Sequence, residues 1–213
     1  MKERPIIFSG PMVRAILEGR KTQTRRVCKD QTPRAYLWLP EGTTIPPSDT
    51  PYTGWAKDVG LPMLLPTKCP YGQPGDRLWV REAFLVGRGG LPCYRADGVA
   101  PNVDDKWKPS IHMPRAYSRI TLEVTGVRVE RVLEISPQDA WAEGIDLPAY
   151  APVSQSLPSP VDVFSALWDS INGKKPGRSW ADNPYVWVVE FKHMEEHKVS
   201  GQLPKMIMGP GWE

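Results

Sequence analysis

The chain is poor in the residues that build disulfide frameworks and metal centres. It has three cysteines and three histidines in 213 residues. Cys28, Cys69 and Cys93 are widely spaced and form no C-x-x-C pair, which favours reduced thiols over a disulfide framework. Together with His112 they would make four zinc ligands, but no two of these lie close in sequence. The sequence therefore predicts neither a metal nor another cofactor.

Long hydrophobic runs and several well-known motifs are also missing. No apolar run approaches the roughly 18 residues of a membrane-spanning helix, and residues 1–5 lack the apolar core of a signal peptide. The chain has no glycine-rich phosphate loop and no H-E-x-x-H. We therefore expect a cytoplasmic protein that does not enter a membrane.

What the chain does have is an uneven distribution of charge. The net charge of +3 is too small for a general nucleic-acid binder, but residues 1–33 contain eight lysines and arginines against three acids. A local patch of this kind can hold phosphate or an acidic partner. The alternative interpretation is a solvated basic turn without a binding role.

The first thirty residues predict a strand followed by a helix. Pro5–Ser9 holds a continuous apolar run, which is typical of a strand buried on both faces. Ser9 is a candidate N-cap, Pro11 stands in the first helical turn, and Gly19 ends the helix. Lys21 is thus expected just after a helix C-terminus.

Between residues 31 and 74 the periodicity disappears and nine prolines occur. Such a stretch cannot carry a regular hydrogen-bonded ladder. We interpret it as a long insertion packed by its aromatic residues, which favours an ordered lid over a disordered loop.

The remaining elements alternate between strand and helix patterns. Five segments are predicted: a strand at Arg77–Phe84, a long strand at Tyr117–Glu134 with a bend or bulge at Gly126, helices beginning at Ser136 and Ser159, and an interior strand at Tyr185–Lys192. Residues 193–213 carry no core pattern and are expected to form a tail or arm. The whole predicts one α+β domain over residues 1–192, with a curved mixed or antiparallel sheet and flanking helices.

The stretch G-R-K-T-Q-T-R-R concentrates the candidate chemistry. Lys21 lies beside Thr22 and Thr24 in the sequence. A lysine amine and a threonine hydroxyl are the smallest set of groups that supplies a base and a nucleophile. Arg25 and Arg26 suit an anionic or nucleotide-like ligand. If Thr22–Arg26 is extended, one face carries Thr22, Thr24 and Arg26 and the other carries Gln23 and Arg25.

Glu143 is the candidate acid. It stands in the last turn of the helix that ends at Gly144, where a carboxylate opposes the helix dipole at a cost of roughly a few tenths of a kcal/mol. Lys21 and its neighbouring arginines are the candidates to form an ion pair with that carboxylate. The alternative is an exposed glutamate that tolerates the penalty.

The strand at Arg77–Phe84 supplies three further candidates. Glu82 shares a face with apolar residues, so we expect it to be buried either as a structural ion-pair member or as a site residue. Trp79 and Arg81 share the opposite face. There a base could stack, with simple surface cover as the alternative.

The order of several short motifs resembles the ASCH domain of the PUA-like superfamily. These motifs are G-R-K-T-x-T at Gly19–Thr24, G-D at Gly75–Asp76, A-E-G at Ala142–Gly144 and V-V-E-F at Val188–Phe191. Three longer stretches are similar to uncharacterised phage and prophage proteins, namely those at Arg4–Val13, Pro70–Glu82 and Pro109–Arg115. The resemblance spans nearly all of residues 1–192.

The resemblance implies a small curved mixed β-barrel with flanking helices and a ligand cleft beside the first helix. Some small ASCH proteins are amidohydrolases that remove the acetyl group from N4-acetylcytidine with a lysine, a threonine and a glutamate. Position by position, these roles fall on Lys21 and Thr24, and through the shorter A-E match on Glu143. The chain departs from those enzymes in its 31–74 insertion, in the loop between residues 87 and 114, and in its C-terminal arm.

Three functions compete on these grounds. The first is binding of RNA or a modified nucleoside with amide hydrolysis, in which burial and the neighbouring arginines lower the pKa of Lys21 so that it activates Thr24, and Glu143 protonates the leaving amine. The second is a non-catalytic module that holds phosphates with Lys21, Arg25 and Arg26 and stacks a base on Trp79 or another aromatic residue. The third is a ribonuclease in which Lys21 stabilises a phosphorane and Glu143 acts as base. The sequence leaves the substrate and the oligomeric state open.

Overall fold

The computed structural model describes residues 1–29, 31, 53–55, 62–64, 69–87, 90–98, 106–146 and 158–194. Most of the predicted 31–74 insertion and of the 193–213 tail lie outside the described residues. The predictions of a lid and of an arm therefore stay predictions.

Nine strands and three helices occur in the described residues. The strands are β1 Glu3–Ile7, β2 Gln23–Val27, β3 Thr53–Trp55, β4 Pro62–Leu64, β5 Arg77–Arg81, β6 Phe84–Val86, β7 Pro92–Tyr94, β8 Thr121–Arg131 and β9 Tyr185–Met194. The helices are α1 Gly10–Leu17, α2 Pro137–Ala142 and α3 Pro160–Asn172. Short 3₁₀ turns lie at residues 95–97, 110–112, 115–117 and 132–134.

A five-stranded sheet in the order β1-β5-β8-β9-β2 organises the molecule. β1 and β5 run parallel, and the other neighbours run antiparallel. The sheet is therefore mixed and the architecture α+β, as the sequence predicts. Within the described part of the chain, β1 and β2 are the open edges of this sheet, so the barrel implied by the resemblance is not closed there.

Each face of the sheet carries its own apolar core. On one face, α1 packs against alternate residues of β9, among them Val189 and Phe191. On the other face, α2 and α3 pack against the intervening residues Val186 and Val188. β9 is apolar on both faces because it lies between β8 and β2, which confirms the prediction of an interior strand.

The helix boundaries follow the capping signals in the sequence. The Ser136 and Ser159 side chains accept hydrogen bonds from the backbone N–H groups three residues later, and each is followed by a proline in the first turn. Gly19 and Gly144 adopt positive φ angles of 74° and 75° just after α1 and α2. Among the described residues, no helix has both the length and the apolar character needed to cross a membrane.

The prediction that β1 is buried on both faces is wrong. Ile6 is 2% exposed, whereas Ile7 is 39% exposed. β1 is an edge strand covered by α1 on one face only, so its side chains alternate between core and solvent.

Two other strand boundaries also need correction. β5 ends at Arg81, so Glu82 lies in the break before β6 instead of inside one continuous strand. His193 and Met194 pair with the start of β8 and belong to β9, not to the predicted tail.

β8 contains the bulge that the sequence indicated near Gly126. Val124 pairs with Phe191 and Gly126 pairs with Glu190, which leaves Thr125 as an extra residue. A Cβ atom at position 126 would lie 2.6 Å from Oε2 of Glu190. The close approach of that carboxylate accounts for the glycine.

Candidate active site

The backbone brings the end of α1 beside the end of α2. After the turn at Gly19, Lys21 forms an antiparallel bridge with Glu143. The N–H of Thr22 then donates to the carbonyl of Ala142 at 2.9 Å. Two candidates that are 122 residues apart in sequence are therefore neighbours in the backbone.

The Lys21 amine is held entirely by Glu143. It donates to the backbone carbonyl at 2.7 Å and to Oε2 of the carboxylate at 2.9 Å. The Lys21 side chain has no exposed area, and Glu143 is 5% exposed. Burial lowers the pKa of Lys21, Glu143 opposes this, and Arg26 and Arg25 lower it further. The pairing agrees with the sequence prediction. Burial contributes more than the arginines to the lowered pKa of Lys21.

Arg25 holds the other oxygen of the same carboxylate. Its Nη1 donates to Oε1 of Glu143 at 3.2 Å, and its Nη2 donates to Oδ2 of Asp139 at 3.2 Å. Its Nε donates to Oε1 of Glu130 at 3.0 Å. Because the side chain of Arg25 has no exposed area, this guanidinium orients Glu143 from within the protein. Its predicted contact with a ligand stays a prediction.

Sequence reasoning missed the outer part of this charge network. Arg128 donates to Oε2 of Glu130 at 3.0 Å and to Oδ1 of Asp139 at 3.3 Å, and Gln23 donates to the same Asp139 oxygen at 3.1 Å. Burial acts to raise the pKa of Asp139, but Arg25, Gln23 and Arg128 outweigh it and the pKa is lowered. A signal existed, because Arg128 and Glu130 occupy one face of β8 after the bulge.

Gly144 permits the close packing of Lys21 against α1. A Cβ atom at position 144 would lie 2.7 Å from Cβ of Lys21 and 2.9 Å from Cβ of Ala15, at a φ of 75°. We expect Gly144→Ala to destabilise the protein by about 1–3 kcal/mol more than Gly177→Ala, because both sites share a positive φ but only Gly144 has neighbours within 4 Å. Urea unfolding monitored by tryptophan fluorescence measures the difference. Equal losses in the two variants would show that the close contact is unimportant.

Thr24 and Arg26 lie on the side of β2 that faces α1. Both pair with residues of β9 that belong to the core beneath α1, so they share a face as predicted. The Phe8 ring lies 5.6 Å from the Lys21 amine and 5.2 Å from the Arg26 guanidinium. Thr24 is 3% exposed, and no described residue makes a hydrogen bond with its hydroxyl.

Two cavities open beside this cluster, the smaller between β2, α1 and α3 and the larger between α1, α3 and the turn after α2. The smaller cavity has a volume of ≈ 70 Å³, and Thr24, Arg25, Arg26 and Glu143 supply most of its polar lining. The larger cavity has a volume of ≈ 300 Å³ and is reached by Glu143 but not by Thr24.

Four predicted site residues lie away from the cluster. The side chain of Thr22, just before β2, is exposed. The guanidinium of Arg81 lies 5.2 Å from the Trp79 ring. Glu82 pairs with Arg119 at 2.9 Å; burial raises its pKa, and Arg119 opposes that shift. None of these four lines either cavity, and Glu82 makes the ion pair that was one of its two predicted roles.

The basic patch predicted from residues 1–33 is largely neutralised. The side chains of Lys21 and Arg25 have no exposed area, and both pair with carboxylates. Arg4 and Arg20 also pair with acids, at 2.9 and 2.5 Å. Four of the eight lysines and arginines in this segment therefore make ion pairs within the protein. Among the described residues, no group of three or more His, Cys, Asp or Glu side chains is placed to hold a metal ion.

Comparison with known proteins gives little beyond this geometry. No family model matches the chain, and no curated protein matches it. Among solved structures, the chain is similar to the crystal structure of protein EF3133 from Enterococcus faecalis V583, described as a DUF984 protein. The two chains share 10% identity over 92% of this chain and 85% of the other, with a TM-score of 0.38.

Proposed function

We propose that this protein is an ASCH-type amidohydrolase that removes the acyl group from an N4-acylated cytidine, either as the nucleoside or within RNA. One observation carries the proposal: Glu143, which pairs with the buried Lys21, lines a cavity that is also lined by Thr24, whose hydroxyl has no hydrogen-bond partner among the described residues. The mixed sheet with α1 beside the β2 edge is compatible with the curved PUA-like barrel of the ASCH resemblance.

Lys21 has the equipment to act as the base. A protonated lysine offers three N–H donors and no acceptor, whereas the neutral amine offers two donors and a lone pair. The two hydrogen bonds to Glu143 use two donors, a number that either form can supply. Burial lowers the pKa of Lys21, which eases the loss of one proton and so provides the lone pair that accepts the proton of Thr24.

The reaction balances with these three side chains and one water. The Thr24 oxygen bonds to the acyl carbon while its proton passes to Lys21. Lys21 hands a proton to Glu143 along the 2.9 Å hydrogen bond, and Glu143 delivers it to N4 as the carbon–nitrogen bond breaks. Cytidine leaves. Water then bonds to the acyl carbon while its proton passes to Lys21, and Lys21 returns a proton to the Thr24 oxygen as the ester bond breaks and the carboxylic acid is released.

Arg26 is the cation best suited to the developing oxyanion. It lines the same cavity as Thr24, and its Nε is buried without a hydrogen-bond partner in the described part of the chain. Its Nη2 donates to the carbonyl of Ile7 at 2.6 Å, which fixes the guanidinium. We expect Arg26→Gln to lower kcat by roughly 10²–10³-fold with a smaller change in KM, because the charge forms only in the transition state. A fall confined to KM, measured with N4-acetylcytidine, would instead make Arg26 a ground-state binding residue.

Burial argues against the two competing functions. A phosphate-binding module needs exposed cations, but two of its three candidate cations, Lys21 and Arg25, are buried and already paired. A ribonuclease would need Lys21 to contact a phosphate, but Lys21 lines neither cavity.

The direct test is incubation of the protein with N4-acetylcytidine and with short RNAs that carry the same base. We expect release of acetate and cytidine, and a peptide containing Thr24 that gains the mass of one acetyl group when the reaction is quenched early. Cleavage of the RNA backbone, or salt-sensitive RNA binding without turnover, would replace the proposal by one of the two alternatives.

A further inference from the structure

The two cavities differ in what they can hold. The smaller, ≈ 70 Å³, has a wall of apolar side chains from α3: Phe164, Leu167, Trp168 and Ile171. Since one water occupies roughly 10–15 Å³ of such a volume, this cavity holds only a few non-hydrogen atoms. It suits a short aliphatic group and not a ring system.

The larger cavity, ≈ 300 Å³, lies at the low end of the volumes that hold whole small molecules, about 300–1,000 Å³. Its rim is more polar. Arg14, Arg20 and Asp146 contribute to its lining, and Arg20 donates to the carbonyl of Gly144 at 3.3 Å. These groups suit the polar edge of a base and a ribose.

Glu143 stands where the two cavities meet. It lines both of them, as do Met12 and Leu167, whereas Thr24 lines only the smaller one. A substrate that lies across the junction has its carbonyl carbon beside Thr24 and its amide nitrogen beside Glu143. This arrangement puts the nucleophile on the acyl side and the proton donor on the amine side of the bond that breaks.

We infer that the smaller cavity is an acyl-selecting pocket built by α3, and that the protein acts on short acyl groups such as acetyl while the nucleoside occupies the larger cavity. The inference rests on the proposed function, because it assigns the two halves of the same substrate. Ile171 and Asn172, at the end of α3, line the smaller cavity and do not line the larger one. Ile171 therefore limits the length of the acyl chain.

The test measures binding, so that it does not depend on turnover. In a Thr24→Val background, calorimetry gives the affinities for cytidine, N4-acetylcytidine and N4-butyrylcytidine. We expect the acetyl compound to bind at least about tenfold more tightly than the butyryl compound, since each misplaced methylene in a close-fitting pocket is worth about 10–200-fold. Ile171→Ala should reduce that preference by about tenfold.

Val163→Ala is the matched control. Val163 lies on the same helix but lines only the larger cavity, so its truncation should change both acyl affinities by the same factor. Ile171 is 52% exposed and alanine is a strong helix former, so Ile171→Ala should fold normally.

The outcomes separate the pocket from the chemistry. An acetyl preference that Ile171→Ala leaves unchanged, or that Val163→Ala alters equally, overturns the pocket assignment even if the wild-type protein deacetylates its substrate. An acyl compound that binds no more tightly than cytidine overturns it as well. A preference that depends on Ile171 in a protein without turnover supports the pocket and removes the amidohydrolase.

Discussion

Thr24→Val is expected to abolish hydrolysis of N4-acetylcytidine, with kcat reduced by roughly 10³-fold or more, because no other hydroxyl takes the place of a lost nucleophile. Valine keeps the volume and shape of threonine, so the cavity between β2 and α3 should persist. No described residue bonds the Thr24 hydroxyl, so stability should change by less than about 1 kcal/mol. Progress curves of acetate release, read beside urea unfolding curves, measure both quantities.

Thr24→Ser is the matched control for the hydroxyl. It retains the nucleophile and loses one methyl group, so it should keep measurable turnover and still form the acyl-enzyme. If Thr24→Val turned over at the wild-type rate, the hydroxyl would not be the nucleophile. A water activated by Lys21 and Glu143 would then be the simplest replacement.

The second large effect concerns the stability of the buried pair. Removing one partner of a buried ion pair typically costs about 3–5 kcal/mol, because the other charge is left without compensation. Glu143→Leu removes the one acid that pairs with Lys21 among the described residues, and it also removes one of three such carboxylates from Arg25. We therefore expect a loss near the upper end of that range.

Lys21→Met should be milder, because Glu143 keeps its hydrogen bond to Arg25. In the double variant neither charge remains, and we expect it to be more stable than Glu143→Leu alone by roughly 1–3 kcal/mol. Urea unfolding of the wild type and the three variants at neutral pH closes the cycle. Additive losses would mean that the 2.9 Å contact contributes no coupling energy.

The local structure was largely readable from the sequence, because it depends on short-range chemistry. The Ser136 and Ser159 caps, the stop at Gly19 and the alternation of β9 all correspond to observed boundaries. Pairing between distant strands was not readable. Nothing in the periodicity of β1 tells that it runs parallel to β5 across a long crossover, and for that reason the exposure of Ile7 was predicted wrongly.

The site was predictable in part for the same reason. The pairing of Lys21 with Glu143 followed from a general rule, since an acid at a helix C-terminus needs a cation. The involvement of Asp139, Glu130 and Arg128 depends on which face each residue takes after the bulge, and on α2 packing over that face. Arg119 as the partner of Glu82 likewise arises only from tertiary structure.

The extra residue at Thr125–Gly126 reverses which alternate side chains face each side of the sheet in the second half of β8. Ahead of it, even-numbered residues such as Val124 face the α1 core; beyond it, odd-numbered residues such as Val129 do so. If the chain were one residue shorter at this point, Arg128 and Glu130 would face the apolar core beneath α1. Val127 and Val129 would then face α2. The single inserted residue thus decides on which side of the sheet the protein keeps its charges.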